Sequence, residues 1–218
     1  MADTVRPYTG NRILELGAGI GNMTQQLSGG RKCYLASDID EEHLARLRVR
    51  FRGRPNMDIR KVDLCCAEDF ADLRGQFDTV VCLNVVEHVK DDLAALRNIY
   101  SALAPGGRAI ILVPQDQKIY GTLDEVLGHY RRYSDEQLRA RMEEAGFVME
   151  RTLHFNRVTR PGWWFNGRIL RRRTFGRLQL QVFDWLVPVF RRVDKIFPWP
   201  AVSVIGIGKV PISTGRKS

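Results

Sequence analysis

Residues 13–21 read Ile-Leu-Glu-Leu-Gly-Ala-Gly-Ile-Gly: an apolar strand running into a carboxylate and then three glycines at alternate positions. Glycine lets a backbone turn sharply and approach a ligand with no side chain between them. A strand, glycine loop and helix of this kind form the nucleotide-binding corner of an open parallel α/β sheet. Asp38 lies nineteen residues after Gly19, at the end of the next strand, a spacing that suits a carboxylate on a ribose hydroxyl. The dinucleotide fingerprint would place its third glycine at position 22, where Asn22 stands, and there is no Gly-Lys-Ser/Thr phosphate loop. Glu15 would repel a diphosphate and suits a cationic or uncharged part of a ligand.

Two further groups could do acid–base chemistry. Glu87-His88 follows an apolar strand, at a helix entrance where the helix dipole would favour the carboxylate. Gly128-His129-Tyr130-Arg131-Arg132-Tyr133 lies in a long connection, the kind of segment that carries acceptor recognition. An imidazole works as a base near neutral pH, which makes His129 a candidate. Arg131 or Arg132 could hold a phosphate or carboxylate. The bland alternative is that these residues only tie the loop to the domain.

The elements that must position these groups alternate strand and helix. Strands are predicted at Arg12–Leu16, Lys32–Ser37, Met57–Val62, Phe77–Leu83, Arg108–Val113, Phe147–Phe155 and Val202–Gly208. Helices are predicted from about Gly21, over Asp40–Phe51 and Asp91–Leu103, and from the capping box at Ser134–Gln137 to Gly146. Ala104-Pro105-Gly106-Gly107 stops the third of these. This alternation implies an α/β, doubly wound, Rossmann-like sheet. Asn84 falls at the carboxyl end of the fourth strand, where ligands of such sheets bind. Asp40 is expected to cap a helix, and the same alternative exists for Asp63.

A chain of 218 residues with 44% hydrophobic and 27% charged residues forms one domain, with room for an elaboration. Cys33, Cys65, Cys66 and Cys82 make no C-x-x-C and no zinc-like cluster; reduced core thiols in a cytoplasmic protein are expected. The N-terminal residues show no basic-then-apolar leader, and no apolar run reaches the ~18 residues of a membrane span. The formal charge of +9 is uneven: residues 157–199 hold ten Lys/Arg, two Asp and all four tryptophans.

Glu15-x-Gly17-x-Gly19-x-Gly21 resembles motif I of the class I S-adenosylmethionine (SAM)-dependent methyltransferases. Phe77–Cys82 followed by Asn84–Val89 resembles their strand-four signature, and Leu103–Gly107 their turn before strand five. The resemblance covers about residues 10–155 and 201–210. It implies a seven-stranded sheet with the last strand antiparallel and inserted beside the sixth. It also implies a cofactor map. Gly17, Ala18 and Gly19 would pass under the methionine part of SAM, with Glu15 near its ammonium or organising the loop. Asp38 would accept from the ribose hydroxyls, with Ile39 on the adenine face. Asp63 would accept from the adenine amino group, with the Leu64 N–H nearby. Glu87-His88 resembles the Glu-x-x-Glu-His segment of ubiquinone-pathway O-methyltransferases, where a divalent metal has been implicated. Asn84 replaces the first acid here, so a metal is not favoured and no metal ligand is assigned. Gly128–Tyr133 resembles a loop of bacterial methyltransferases linked to glycans and lipids.

Class I sheets often join strands six and seven by a short turn, whereas about 45 residues intervene here. They include Pro161-Gly162-Trp163-Trp164-Phe165, Arg171-Arg172-Arg173 and an apolar helical stripe of Leu178, Val182, Trp185, Leu186 and Val189. Tryptophan and arginine beside such a stripe suit the headgroup zone of an anionic bilayer. Packing on the sheet or an oligomer interface is the competing expectation; nucleic acid is not favoured, because no RNA-binding module is visible.

The expected organisation is a methyltransferase core at 1–156, a helical basic and aromatic insertion at 157–200, a final core strand at 201–210 and a disordered tail at 211–218. The expected activity is methyl transfer from SAM, leaving S-adenosylhomocysteine, to a hydroxyl of a lipid-linked, glycan, quinone-like or secondary-metabolite acceptor. His129, His88 and Glu87 are the catalytic candidates. Tyr130, Arg131, Arg132, Tyr133, Trp163 and Trp164 are the candidates for substrate contact. The alternatives are N- or C-methylation of a small soluble metabolite, and a noncatalytic module or partner subunit. Met1–Tyr8 is expected to be too short to cover the cofactor, which leaves truncation or a larger polypeptide open.

Overall fold

The computed structural model describes residues 1–166 and 194–212. Seven strands form one sheet: β1 (Arg12–Leu16), β2 (Cys33–Asp38), β3 (Met57–Lys61), β4 (Phe77–Leu83), β5 (Leu103–Pro114), β6 (Val148–Phe155) and β7 (Ser203–Lys209). Their order is β3-β2-β1-β4-β5-β7-β6. The first five are parallel, and β7 runs antiparallel between β5 and β6, as the resemblance implied. The chain leaves β1 toward β2 on one side, and β4 returns on the other. The crevice at the carboxyl ends of β1 and β4 is therefore the topological switch point.

The central strands are almost continuously apolar because both faces are covered. Leu14 and Leu16 of β1 face one core with Val80 and Cys82, closed by α4 (Asp92–Ala102) and α6 (Asp135–Glu144). Ile13 and Val81 face the other, closed by α1 (Ala2–Val5), α2 (Asn22–Leu27) and α3 (Glu41–Arg50). Each fully buried Leu or Ile contributes about 1.5–3 kcal/mol. Gly206 and Gly208 of β7 let α6 and Phe147, three residues beyond it, press onto the sheet. A Cβ at Gly206 would lie 2.7 Å from Met142 Sδ, and one at Gly208 2.9 Å from Phe147 Cβ.

Several expectations are corrected. β5 begins at Leu103 rather than Arg108, because Phe77 pairs with Leu103 and the register then shifts so that Thr79 pairs with Arg108. The intervening Gly106 and Gly107 are held by Val210 instead. Only Cys82 is a fully buried thiol; Cys65 is exposed and Cys33 and Cys66 are half-buried. The first residues form a short helix rather than an unstructured lead: Ala2 and Val5 are buried in the core, and Met1 alone of them lines the cavity described below. The connection after β5 contains a short helix, α5 (Thr122–Leu127), that the sequence did not signal. Of the insertion, α7 (Arg160–Trp164) and a 3-10 turn at Asp194–Ile196 are described. Arg171–Arg173, the apolar stripe from Leu178 to Val189 and residues 213–218 of the tail lie outside the described residues.

Candidate active site

The loop after β1 makes three left-handed turns, with φ of +72° at Gly17, +56° at Gly19 and +84° at Gly21. Space as well as backbone conformation excludes a side chain at Gly17, where a Cβ would lie 2.3 Å from Val85 Cγ2. A Cβ at Gly19 would meet nothing within 4 Å, so that peptide faces open space. Asp38, at the end of β2 and 7% exposed, holds the loop from the other side. Its Oδ2 accepts from Gly19 N–H at 2.8 Å and its Oδ1 from Asp40 N–H at 3.0 Å. A carboxylate has about four acceptor positions, so capacity remains for ligand hydroxyls. Asp40 caps α3, accepting from the N–H groups of Glu42 and His43, as expected. Ile39 stands exposed beside them.

The glycine loop borders a cavity of about 350 Å³ whose lining includes Met1, Glu15, Gly17, Gly19, His43 and Asn84; Asp38 and Ile39 stand behind that lining rather than in it. Glu15 is its buried acid. Thr24 Oγ1 and Tyr34 Oη donate to Glu15 Oε2 at 2.5 and 2.9 Å. Burial outweighs both bonds and pushes the carboxyl up to about 7, with Asp38 adding to the rise. A cationic ligand group would favour the ionised form. Asn84, exposed with φ of +55°, turns the chain out of β4 toward the cavity. Asp63 lies apart from this lining. Its side chain accepts from Cys65 N–H at 2.8 Å and closes the turn after β3. Leu64 is a core residue whose carbonyl accepts from Asn98.

A second cluster assembles beyond Asn84. Glu87, in the 3-10 turn Val86–His88, is fully buried, and neither carboxylate oxygen has a hydrogen-bond partner. Burial raises its pKa to about 8. The loop at Gly128–Tyr130 folds against this turn: Tyr130 N–H donates to the Glu87 carbonyl at 2.8 Å, and His88 Nδ1 lies 3.3 Å from the Gly128 carbonyl. The His88 and His129 rings meet edge to face at 4.8 Å. Burial and the neighbouring His129 lower the His88 pKa. Donor atoms of Glu87, His88 and His129 all lie within 4.8 Å of one another, so the three sequence candidates converge. One carboxylate and two imidazoles are donor types that a divalent cation accepts.

The partner that sequence reasoning missed is Asp124 of α5. Its Oδ1 lies 2.9 Å from His129 Nδ1 and accepts from Arg132 Nε at 2.8 Å. Nothing in the sequence marked it, because α5 itself carried no signal. Arg132 is buried; Nη1 donates to the Gln115 carbonyl, Nη2 has no partner, and the guanidinium lies 4.8 Å from the Trp163 ring centroid. Arg160 of α7 pairs with Asp116, so the start of the insertion is fastened over this loop. Arg131 is engaged elsewhere, with Asp92 at 2.9 Å and the Lys90 carbonyl at 2.7 Å. Tyr133 is buried and donates to Asp92. Tyr130 and Trp164 are exposed. Arg131, Arg132 and Lys90 line a wider cavity of about 910 Å³.

A family model described as a methyltransferase domain matches residues 4–152. A ubiquinone biosynthesis O-methyltransferase of Ruegeria pomeroyi is 35% identical over 109 residues, 49% of this chain and 42% of that protein. A probable S-adenosylmethionine-dependent methyltransferase of Mycolicibacterium smegmatis is 28% identical over 146 residues, 66% of this chain and 54% of that protein. The chain thus spans about half the length, or less, of these relatives. A solved S-adenosylmethionine-dependent methyltransferase from Mesorhizobium loti shares the fold, with a TM-score of 0.66, 15% identity and 95% of each chain covered.

Proposed function

The chain belongs to the methyltransferase-domain family, with the class I SAM-dependent fold, and from that premise we propose that it methylates a hydroxyl on a lipid-linked or quinone-like acceptor. The observation that carries the reading is the pairing of two sites across Asn84. One is the cavity walled by Gly17, Gly19 and Glu15 and braced by Asp38; the other is the cluster of Glu87, His88 and His129. The first fits SAM by its chemistry: open backbone at Gly19, a carboxylate with spare acceptor positions at Asp38, and a buried acid for a cationic group at Glu15. Ile39 would pack on the adenine, and Asp63 would approach it from the turn after β3. SAM supplies a methyl group on a positively charged sulfur, an electrophile that needs alignment more than activation.

The protein's part is to hold the acceptor oxygen in line and receive its proton. We assign that role to His129. Its Nδ1 is occupied by Asp124, which leaves Nε2 as the receiving atom. Arg132, with an unpaired buried nitrogen beneath Trp163, is the candidate for an anionic group on the acceptor. The exposed Val126, Leu127, Tyr130, Trp164 and Phe165 favour an acceptor with an apolar part. The basic sequence that follows favours an anionic membrane surface. No helix among the described residues is long and apolar enough to cross a membrane.

The test is transfer of labelled methyl from SAM to a panel of hydroxyl acceptors, with and without anionic liposomes. Transfer to phenolic or lipid-linked hydroxyls, enhanced by liposomes, is expected. Transfer confined to amines or carbon acids in solution would replace this reading with N- or C-methylation.

A further inference from the structure

Asp124 is buried on α5, outside every motif in the sequence, yet it organises the candidate base. Its carboxylate accepts at three points: His129 Nδ1 at 2.9 Å, Arg132 Nε at 2.8 Å and Gly121 N–H at 3.1 Å. The His129 backbone N–H also donates to the Asp124 carbonyl at 2.9 Å. The imidazole is therefore held at both its backbone and its ring. A carboxylate that already receives two other donors can only accept from the ring. Those hydrogen bonds and the Arg132 charge hold the Asp124 pKa below the ordinary range, against the opposing effect of burial.

We propose that Asp124 is a positioning residue that locks His129 in the Nδ1–H tautomer, so that Nε2 presents its lone pair to the acceptor hydroxyl. This rests on the assignment of His129 as base. In the transfer step the acceptor O–H bond breaks and its proton joins Nε2. The oxygen's electron pair forms the new bond to the methyl carbon, and the S–CH3 pair leaves with the sulfur. His129 becomes an imidazolium that Asp124 stabilises without taking the proton, because Arg132 keeps the carboxylate ionised. Free imidazole in water favours the opposite tautomer, so the pairing has an observable consequence.

The experiment is side-chain nitrogen NMR on the full chain, which has four histidines; His129→Gln identifies the His129 signals. Wild-type protein at pH 8 should show His129 with the proton on Nδ1. Asp124→Asn, whose amide can donate to Nδ1, should move the proton to Nε2. With the best acceptor from the transfer panel, it should also lower kcat at least tenfold at unchanged KM for SAM. A wild-type His129 protonated on Nε2 overturns the proposal, and does so even if the variant fails to fold. An Asp124→Asn protein that keeps kcat, while His129→Gln loses it, overturns it as well. If the tautomer shifts as expected while His129→Gln leaves methyl transfer intact, the positioning stands and the base assignment above falls.

Discussion

Replacing Glu15 by glutamine should stabilise the protein while weakening its ligand binding. Glu15 is buried, and its carboxyl is raised from 4.5 to about 7, chiefly by burial. Between those two values the folded protein holds a proton that the unfolded chain has released, so stability falls as pH rises through that window. Above pH 7 the ionised carboxylate costs up to about 3 kcal/mol, taking roughly 1.4 kcal/mol for each unit of displacement. Glutamine has the same shape, and its amide oxygen can still accept from Thr24 and Tyr34. Urea unfolding at pH 8 should therefore find Glu15→Gln more stable by about 1–3 kcal/mol, the difference shrinking toward pH 5. Calorimetry at pH 8 should find SAM bound on the order of tenfold or more weakly, the loss of one charge-assisted hydrogen bond. Wild-type affinity should in turn rise between pH 6 and 8, because the ionised carboxylate is the form that receives a cation. Equal stability of the two proteins at both pH values would refute the ionisation argument. Unchanged SAM affinity would refute the placement of Glu15 against the ligand's ammonium.

Gly17→Ala forces an alanine into a left-handed turn, at a cost of roughly 1–2 kcal/mol, and drives its Cβ into Val85. It should lower the thermal midpoint and the SAM affinity together. His129→Ala should reduce turnover while calorimetry finds SAM affinity intact, and unaffected turnover would remove His129 from the chemistry. Chelation by EDTA should leave methyl transfer unchanged; a loss restored by magnesium or manganese would assign Glu87, His88 and His129 to a cation instead.

The strands that build the proposed cofactor cavity were legible because their residues are constrained locally. β1 and β4 fall where the apolar runs Arg12–Leu16 and Phe77–Leu83 placed them. Asp40 and Ser134 cap the helices their types announced. The glycine loop and Asp38 were visible because close backbone approach demands glycine and a strand-end acid at a fixed distance. The acceptor side was legible only as fragments. Glu87, His88 and His129 were each visible, but their convergence depends on the Tyr130 N–H to Glu87 carbonyl bond, which joins segments 43 residues apart. α5 is too short to show periodicity, so Asp124 could not be placed opposite His129. Arg131 and Arg132 are neighbours of one type with different fates. One faces Asp92 and the other Asp124, a distinction set by packing against α4 and α5.

The central claim is that the Gly17–Gly19 loop and Asp38 form a SAM site, and titration calorimetry with SAM and S-adenosylhomocysteine tests it directly. Wild-type protein should bind both with dissociation constants on the order of micromolar, and Asp38→Ala, which also frees the Gly19 N–H, should lose most of that affinity. Absence of binding to the wild type, or equal binding by Asp38→Ala, would contradict the account.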